Sequence, residues 1–359
     1  MKLDKVEEIA RAVLYEGYLL YPYRPSVKNR QRWTFGGLYP PAWSEAHAGS
    51  DGSVMQTQCL ALAPPKAQLD VTARFLQIVA RTVGQVEPPV NASTPIEDVN
   101  FREVQSLEVA GKLYQTWEEA VERKVAVGRL DVERLAAHLR RTEFASPPAQ
   151  ELEPLQDEAG HIAGVLVRDR EGLQGAVETS AERLTAHGDG DLFRITVRAV
   201  NATPFADAAN QPRPQAVLRS LASTHVILGI EGGQFLSLTD PPERWRAHAE
   251  ACKNIGAWPA LVGEVGDTDT MLSSPIILYD YPQIAPESPG DLFDATEIDE
   301  ILTLRIMTMT EDEKRAMCAT DERARALLER TASLARQQLL DLHGTFRGLE
   351  PLAKAQTHE

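Results

Sequence analysis

Residues 192–200 have the sequence LFRITVRAV, in which apolar and polar side chains alternate. The odd-numbered positions of this stretch are apolar, and Arg194, Thr196 and Arg198 lie between them. A period of two residues is typical of a strand with one face in a core and the other in solvent. Apolar runs bounded by turn residues predict further strands at 32–35, 54–62, 71–83, 162–167, 224–230 and 273–281.

Turn residues connect most of these predicted strands. The sequence EGGQ at 231–234 is typical of a tight turn, because glycine adopts positive φ without steric cost. Segments 84–100, 145–160 and 201–215 are rich in turn formers and predict loops. We therefore expect an α+β protein, with a mainly antiparallel sheet or sandwich, interspersed helices and a helical C-terminal region, rather than a doubly wound fold.

Helices are predicted from spacing and from N-terminal capping patterns. Residues 3–15 carry apolar side chains at helical spacing, at Val6, Ile9, Ala10 and Val13. A capping box pairs an N-cap side chain with a carboxylate three residues later. This pattern predicts helix starts at Thr116/Glu119, Asp240/Glu243, Asp294/Glu297 and Thr310/Glu313, and Thr320 with Asp321 predicts one more.

The domain organisation follows from these elements. A boundary is predicted at 145–160, between an N-terminal unit (1–150, a helix followed by a β-rich region) and a second unit (151–359). The second unit is predicted to be β-rich, with an α/β insertion at 224–280 and a helical C-terminus at 294–345. In the insertion, the helix that starts after Asp240 is expected to end near Gly256, before a strand at 258–262.

Composition restricts the function classes. The chain has 359 residues, is 43% hydrophobic and carries a formal net charge of −15. A chain this acidic is repelled by nucleic acids and anionic membranes, so we expect neither partner. The N-terminus has no secretory pattern and no apolar run is long enough to span a bilayer, and Cys59, Cys252 and Cys318 form no CxxC motif. A cytoplasmic protein with reduced thiols is expected.

An aromatic–basic segment at 15–33 reverses the local charge of this acidic chain. Between 24 and 32 it contains four bases and no acid. Tyrosine, tryptophan and arginine are enriched at protein interfaces, so a partner-binding role is predicted for Tyr18, Tyr21, Tyr23, Arg24, Lys28, Arg30, Arg32 and Trp33. The alternative is a helix-to-strand corner, in which the tyrosines pack in the core and the bases pair with the protein's own acids.

An acidic segment at 280–300 has the opposite character. No base occurs between Asp280 and Arg305. The spacing does not match an EF-hand loop, and Asp294 with Glu297 fits a helix cap better than a metal site. The segment is predicted to dock a basic partner through Asp280, Glu287, Asp291, Asp294, Asp299 and Glu300. Alternatively it is a solvated surface or pairs internally with the aromatic–basic segment.

Catalytic motifs are missing from the sequence. It contains no GxSxG elbow, no HExxH, no Walker A sequence and no GxGxxG. His225 in a predicted strand, with Asp280 elsewhere, allows an enzyme hypothesis of the hydrolase or transferase class. A buried core histidine is the more common role for such a residue. No catalytic residue, cofactor or metal ligand is therefore predicted, and a protein that is not an enzyme is favoured.

Three stretches resemble a family of uncharacterised proteins. They are YEGYLLYPYRPSVKNRQRWTFGGLYP near the start, ACKNIGAWPALVGE, and LSSPIILYDYPQIAPESPGDLFDATEIDEILTLRIMTMTEDEK near the end. The members of that family are encoded alongside [NiFe] hydrogenase structural and maturation genes, chiefly in actinobacteria. The resemblance carries no catalytic residues. It implies an accessory or assembly factor that binds a hydrogenase subunit or maturation protein, or alternatively a permanent structural subunit of a larger complex.

Overall fold

A computed structural model describes residues 3–14, 36–47, 49, 52–185, 191–283, 306–319 and 322–333. Seven α-helices lie in these ranges: α1 (Leu3–Leu14), α2 (Pro41–Ala46), α3 (Val132–Ala137), α4 (Arg213–Val217), α5 (Arg246–Glu250), α6 (Glu311–Cys318) and α7 (Glu322–Ser333). Short 3₁₀ turns lie at Ile96–Asp98, Ala208–Asn210 and Glu243–Trp245. No helix within these ranges combines the length and the apolar character needed to cross a membrane.

Fifteen strands form the rest of the described regular structure. The first eight are β1 (Val54–Ala63), β2 (Gln68–Asn91), β3 (Arg102–Val104), β4 (Ser106–Val109), β5 (Lys112–Gln115), β6 (Trp117–Asp131), β7 (Arg140–Ser146) and β8 (Ala149–Gln156). The others are β9 (His161–Arg170), β10 (Leu173–Thr185), β11 (Asp191–Asn201), β12 (Ala222–Glu231), β13 (Gln234–Leu236), β14 (Trp258–Leu261) and β15 (Thr270–Ser274).

Two main sheets are built from these strands, and their pairings are antiparallel. One sheet has the order β13-β1-β11-β10-β7. The other has the order β14-β15-β12-β2-β9-β8, with β3 and β6 also paired to β2. Strands β4 and β5 form a separate hairpin. The prediction of a mainly antiparallel sheet is confirmed.

The main core lies between the two sheets. Strand β11 contributes the odd positions of the LFRITVRAV stretch, which are buried, while Arg194, Thr196 and Arg198 are half-buried on the other side. Strands β2 and β12 contribute from the opposite sheet, with Val71, Phe75, Val226 and Leu228 in the same cluster. The alternation in sequence therefore marks the inner surface of a sandwich.

Strand β2 is 24 residues long and belongs to two parts of the molecule. Its first half, from Gln68, pairs with β12 in the sandwich. Its second half, from Ala80, pairs with β9. We call the second half of β2, together with β3–β5, β8 and β9, the arm. The arm has small apolar cores of its own, which include Val83, Val86, Val165 and Leu166.

Helix α1 covers the outer surface of the larger sheet. Val6, Ile9, Ala10 and Val13, the four apolar positions predicted from spacing, are all buried against that sheet, where they pack with Ile227 and Leu272. Helix α6 starts with the predicted capping box, because Thr310 N–H donates to Glu313 Oε2 at 2.7 Å and Glu313 N–H donates to Thr310 Oγ1 at 3.3 Å. Met317 of α6 is buried on Leu76 and Ile78 of β2.

The predicted helix after Thr116 is wrong. Residues 117–131 form β6, which pairs with β2 along its whole length. The Thr116 hydroxyl does not cap a helix. It donates to the Val104 carbonyl at 2.9 Å and accepts from the Val83 N–H at 3.2 Å. Pairing with the long β2 therefore overrides the local capping pattern.

The predicted α/β insertion also differs from the structure. After Asp240 the chain forms only the 3₁₀ turn and the five-residue helix α5, and the N-cap position Pro242 offers no side-chain hydrogen bond. Strand β14 pairs antiparallel with β15, so no parallel unit forms. The strand predicted at 273–281 is shifted, since β15 ends at Ser274. The turn at 231–234 is as predicted, with Gly232 at φ +75°.

Strands occupy parts of two predicted loops, including the segment predicted as the domain boundary. Residues 84–91 belong to β2, and the 145–160 segment contains the end of β7 and all of β8. Strands from either side of residue 150 pair within both sheets, as β1 does with β11 and β2 with β9. The strand predicted at 32–35 and the helix predicted at Asp294 lie outside the described residues.

Candidate functional site

Of the fourteen residues predicted to bind a partner, only one is described by the structure. That residue is Asp280. The remainder lie outside the described ranges: Tyr18, Tyr21, Tyr23, Arg24, Lys28, Arg30, Arg32, Trp33, Glu287, Asp291, Asp294, Asp299 and Glu300. Their role in partner binding stays a prediction.

Asp280 holds the chain after β15 against the outer edge of β14. Its Oδ1 accepts the Leu261 N–H at 2.8 Å, and its Oδ2 accepts the Ser237 hydroxyl. The Leu261 carbonyl accepts the N–H of Tyr281 at 2.7 Å. Both backbone groups of Leu261 on this edge are therefore satisfied by residues 280–281. The Asp280 carboxylate positions this segment.

Segment 275–281 projects two large apolar side chains into solvent. Ile277 is 72% exposed and Tyr279 is 82% exposed. Their neighbours Ile276 and Leu278 point the other way and pack in the cluster under α1. Side chains at successive positions from Ile276 to Tyr279 therefore alternate between the interior and solvent. Trp258, the first residue of β14, is 39% exposed on the same edge of the sheet.

The chain around this edge is acidic. Residues 254–304 contain no lysine, arginine or histidine. In the loop between β14 and β15 lie Glu264, Asp267 and Asp269. We call the exposed side chains of Trp258, Ile277 and Tyr279, together with this loop, the β14-edge surface. It combines apolar anchors with negative charge.

His225 lies in the interior and does not meet Asp280 in the described hydrogen bonds. Its ring is fully buried on β12, and Nε2–H donates to the Ala10 carbonyl of α1 at 3.2 Å. Burial lowers the pKa of His225 to about 4, and the nearby Arg74 acts in the same direction. The imidazole is thus neutral near pH 7 and fixes α1 to the sheet. The described hydrogen bonds of His225 and Asp280 go to different partners, so they give no support to the hydrolase or transferase hypothesis.

The described ranges show no metal centre and no activated thiol. They contain no group of three or more His, Cys, Asp and Glu side chains placed to hold a metal ion. Cys59 is buried in the sandwich core, where desolvation raises its pKa, and Cys252 and Cys318 are half-buried. Burial also raises the pKa of both of these thiols. None of the three is activated as a nucleophile.

The sequence reasoning missed a cavity of about 500 Å³ between the arm and the C-terminal helices. We call it the charged cleft. Its polar lining consists of Arg81, Lys112, Tyr114, Glu119, Glu153, Arg168 and Arg325. One signal was present in the sequence. Arg81 interrupts the apolar run LQIVARTVG of a predicted strand, and an arginine in such a run requires partners if it is buried.

The chain was compared with protein-family models, with curated proteins and with solved structures, and none of them matches.

Proposed function

We propose that this protein is a non-enzymatic accessory factor that acts by binding another protein, and that the β14-edge surface is a contact region. The observation that carries the proposal is the exposure of Ile277 and Tyr279 on a segment held by Asp280. Large apolar side chains on a fixed backbone lose little conformational entropy on binding. Tyrosine is among the residue types that anchor protein interfaces, and exposed apolar patches mark interaction sites.

The partner surface is expected to be basic around an apolar pocket. The stretch 254–304 carries acids and no bases, so its field attracts a positively charged surface and repels an acidic one. Tyrosine and isoleucine side chains would enter the pocket, while the acidic loop would lie at the rim. Rim charges mainly set the rate of association and its dependence on salt.

The resemblance described above supplies the partner class to test first. It concerns a family encoded alongside [NiFe] hydrogenase genes, and it is the sole support for a hydrogenase subunit or maturation protein as the partner. The charge and exposure of the β14-edge surface support binding to a basic protein whichever class that protein belongs to.

Affinity purification from the native host under anaerobic conditions, followed by mass spectrometry, tests the proposal. The tagged wild-type chain is expected to retain a hydrogenase subunit or maturation protein. The variant Ile277→Ser/Tyr279→Ser should lose it. The matched control Leu139→Ser/Met307→Ser, which removes apolar side chains that are 58% and 48% exposed elsewhere, should retain it.

Three outcomes separate the alternatives. Equal recovery with Ile277→Ser/Tyr279→Ser and with wild type would rule out this surface as the contact. Recovery of the chain in fixed stoichiometry with mature hydrogenase would favour a permanent structural subunit over an assembly factor. Recovery of the wild-type chain alone would contradict the binding proposal, and screens for enzyme activity would then come first.

A further inference from the structure

The charged cleft lies on a different part of the molecule from the β14-edge surface. Within it, Glu119 bridges two arginines, because its Oε1 lies 2.8 Å from Arg81 Nη1 and its Oε2 lies 2.9 Å from Arg168 Nε. Arg168 Nη1 is also 2.7 Å from Glu153 Oε2. The two carboxylates of the cleft are therefore both used by these two arginines.

The other two cations of the cleft have no carboxylate partner among the described residues. Lys112 Nζ lies 4.8 Å from the centroid of the Tyr114 ring. Arg325 Nη2 donates to the Cys318 carbonyl at 3.3 Å, which leaves most of its donors unused. Among the residues that the structure describes, four cations and two carboxylates line the cleft, which is an excess of two positive charges in a chain of net charge −15.

The arginines of this site are held in place before any ligand arrives. Arg81 is 7% exposed, and its Nε and Nη2 donate to the carbonyls of Gln115 and Ala319, each at 3.1 Å. Desolvation lowers the pKa of Arg81, and the charge of Arg168 acts in the same direction. Because the Arg81 guanidinium is buried, a nearby anion stabilises its positive charge.

We propose that the charged cleft binds a small organic anion. Its carboxylate or phosphate group would lie toward Lys112 and Arg325, and its apolar body would pack on Tyr114 and Leu166. The cavity volume of about 500 Å³ falls in the range of small-molecule sites, which pair an apolar wall with a few convergent polar groups. Guanidinium and ammonium groups are the usual protein ligands of both oxyanions. The inference does not rest on the proposed function.

Isothermal titration of the full chain with phenyl phosphate, benzoate and inorganic phosphate tests this proposal. Wild type is expected to bind at least one of the two aromatic anions, and more tightly than inorganic phosphate because of the apolar wall. Lys112→Gln/Arg325→Gln should weaken that binding at least about tenfold. The comparison between phenyl phosphate and benzoate identifies which oxyanion the cleft prefers.

Matched variants keep the result interpretable. Lys66→Gln/Arg134→Gln removes the same charges from exposed positions outside the cleft and should bind as wild type does. Lys112→Arg/Arg325→Lys keeps the charges and should retain most of the affinity, which separates loss of charge from misfolding. Absence of saturable binding to every probe at concentrations up to about 10 mM would overturn the proposal. So would an equal loss of affinity in the Lys66/Arg134 control.

Discussion

Strand β2 carries two buried arginines, Arg74 and Arg81, whose surroundings differ. Arg74 is 1% exposed beneath α1, where its Nη1 lies 3.1 Å from Glu7 Oε2 and its Nη2 lies 2.6 Å from Glu122 Oε1. Lys124 Nζ joins Glu7 at 3.0 Å, so two bases meet two acids. Arg81 is in a similar ion pair, but its cluster lines an open cleft.

The Arg74 cluster and the charged cleft differ in the balance of their charges and in whether they are covered from solvent. The Arg74 cluster pairs Arg74 and Lys124 with Glu7 and Glu122, and it is covered by a helix that His225 also holds. The charged cleft adds Lys112 and Arg325 to an otherwise balanced set and stays open. A buried arginine that is paired with carboxylates has a structural role. An excess of positive charge facing a cavity instead indicates a binding site for an anion.

The largest effect is expected from breaking the closed cluster. Glu7→Gln/Glu122→Gln leaves Arg74 buried with no carboxylate, and losing the partners of a buried charge costs about 3–5 kcal/mol of unfolding free energy. Urea denaturation followed by circular dichroism measures the loss. Adding Arg74→Met to the same variant should recover much of the stability, because no buried charge then remains. A loss below about 1 kcal/mol would show that water reaches Arg74.

A pH titration should give the next largest effect. The pKa of His225 is lowered from 6.5 to about 4 in the folded chain, so the unfolded chain binds the proton more readily between these values. The contribution of His225 to stability is complete above about pH 6.5 and falls as the pH drops toward 4. Since one pKa unit corresponds to about 1.4 kcal/mol, the total loss is about 3 kcal/mol.

The variant His225→Gln isolates that contribution. Urea denaturation of wild type and variant at several pH values between 7 and 4 should show a steeper loss of stability in wild type. The difference between the two curves removes the contribution of the carboxylates that both proteins share. Parallel curves would mean that the ring is already solvated in the folded chain.

The smallest effect is expected in the open cluster. Lys112→Gln/Arg325→Gln removes two cations without carboxylate partners among the described residues, so the unfolding free energy should change by less than about 0.5 kcal/mol. The same urea assay measures it. A loss of about 2 kcal/mol or more would place these side chains with Arg74, as structural groups rather than ligand-binding ones.

The two capping-box patterns at Thr116 and Thr310 show how far the sequence could predict this fold. Thr310 begins helix α6, where its backbone and hydroxyl form the predicted hydrogen bonds with Glu313. Thr116 carries the same pattern, yet β6 forms because β2 offers it a partner over the whole of its length. The alternation in β11 and the helical spacing in α1 were sufficient to predict a strand and a helix. In each of these elements, one surface is buried and the spacing of apolar residues along the chain matches it.

The candidate sites depended on information that the sequence does not contain. The acidic character of the chain near Asp280 was visible, whereas the orientation of Ile277 and Tyr279 depends on the hydrogen bonds that Asp280 makes with Leu261 and Ser237. The charged cleft assembles side chains from residue 81 to residue 325. No local sequence pattern predicts that these side chains lie together, because strand pairing and helix packing between distant parts of the chain bring them into one cleft.

The length of β2 also has a consequence for synthesis of the protein on the ribosome. Its partners β6, β9 and β12 begin at Trp117, His161 and Ala222, so the last of them emerges about 130 residues after β2 is complete. At translation rates of about 5–20 residues per second, the apolar strand waits on the order of ten seconds for β12. An unpaired strand edge is open to other chains during that time. We therefore expect the yield of folded protein to rise when translation is fast relative to aggregation, or when a chaperone shields the nascent strand.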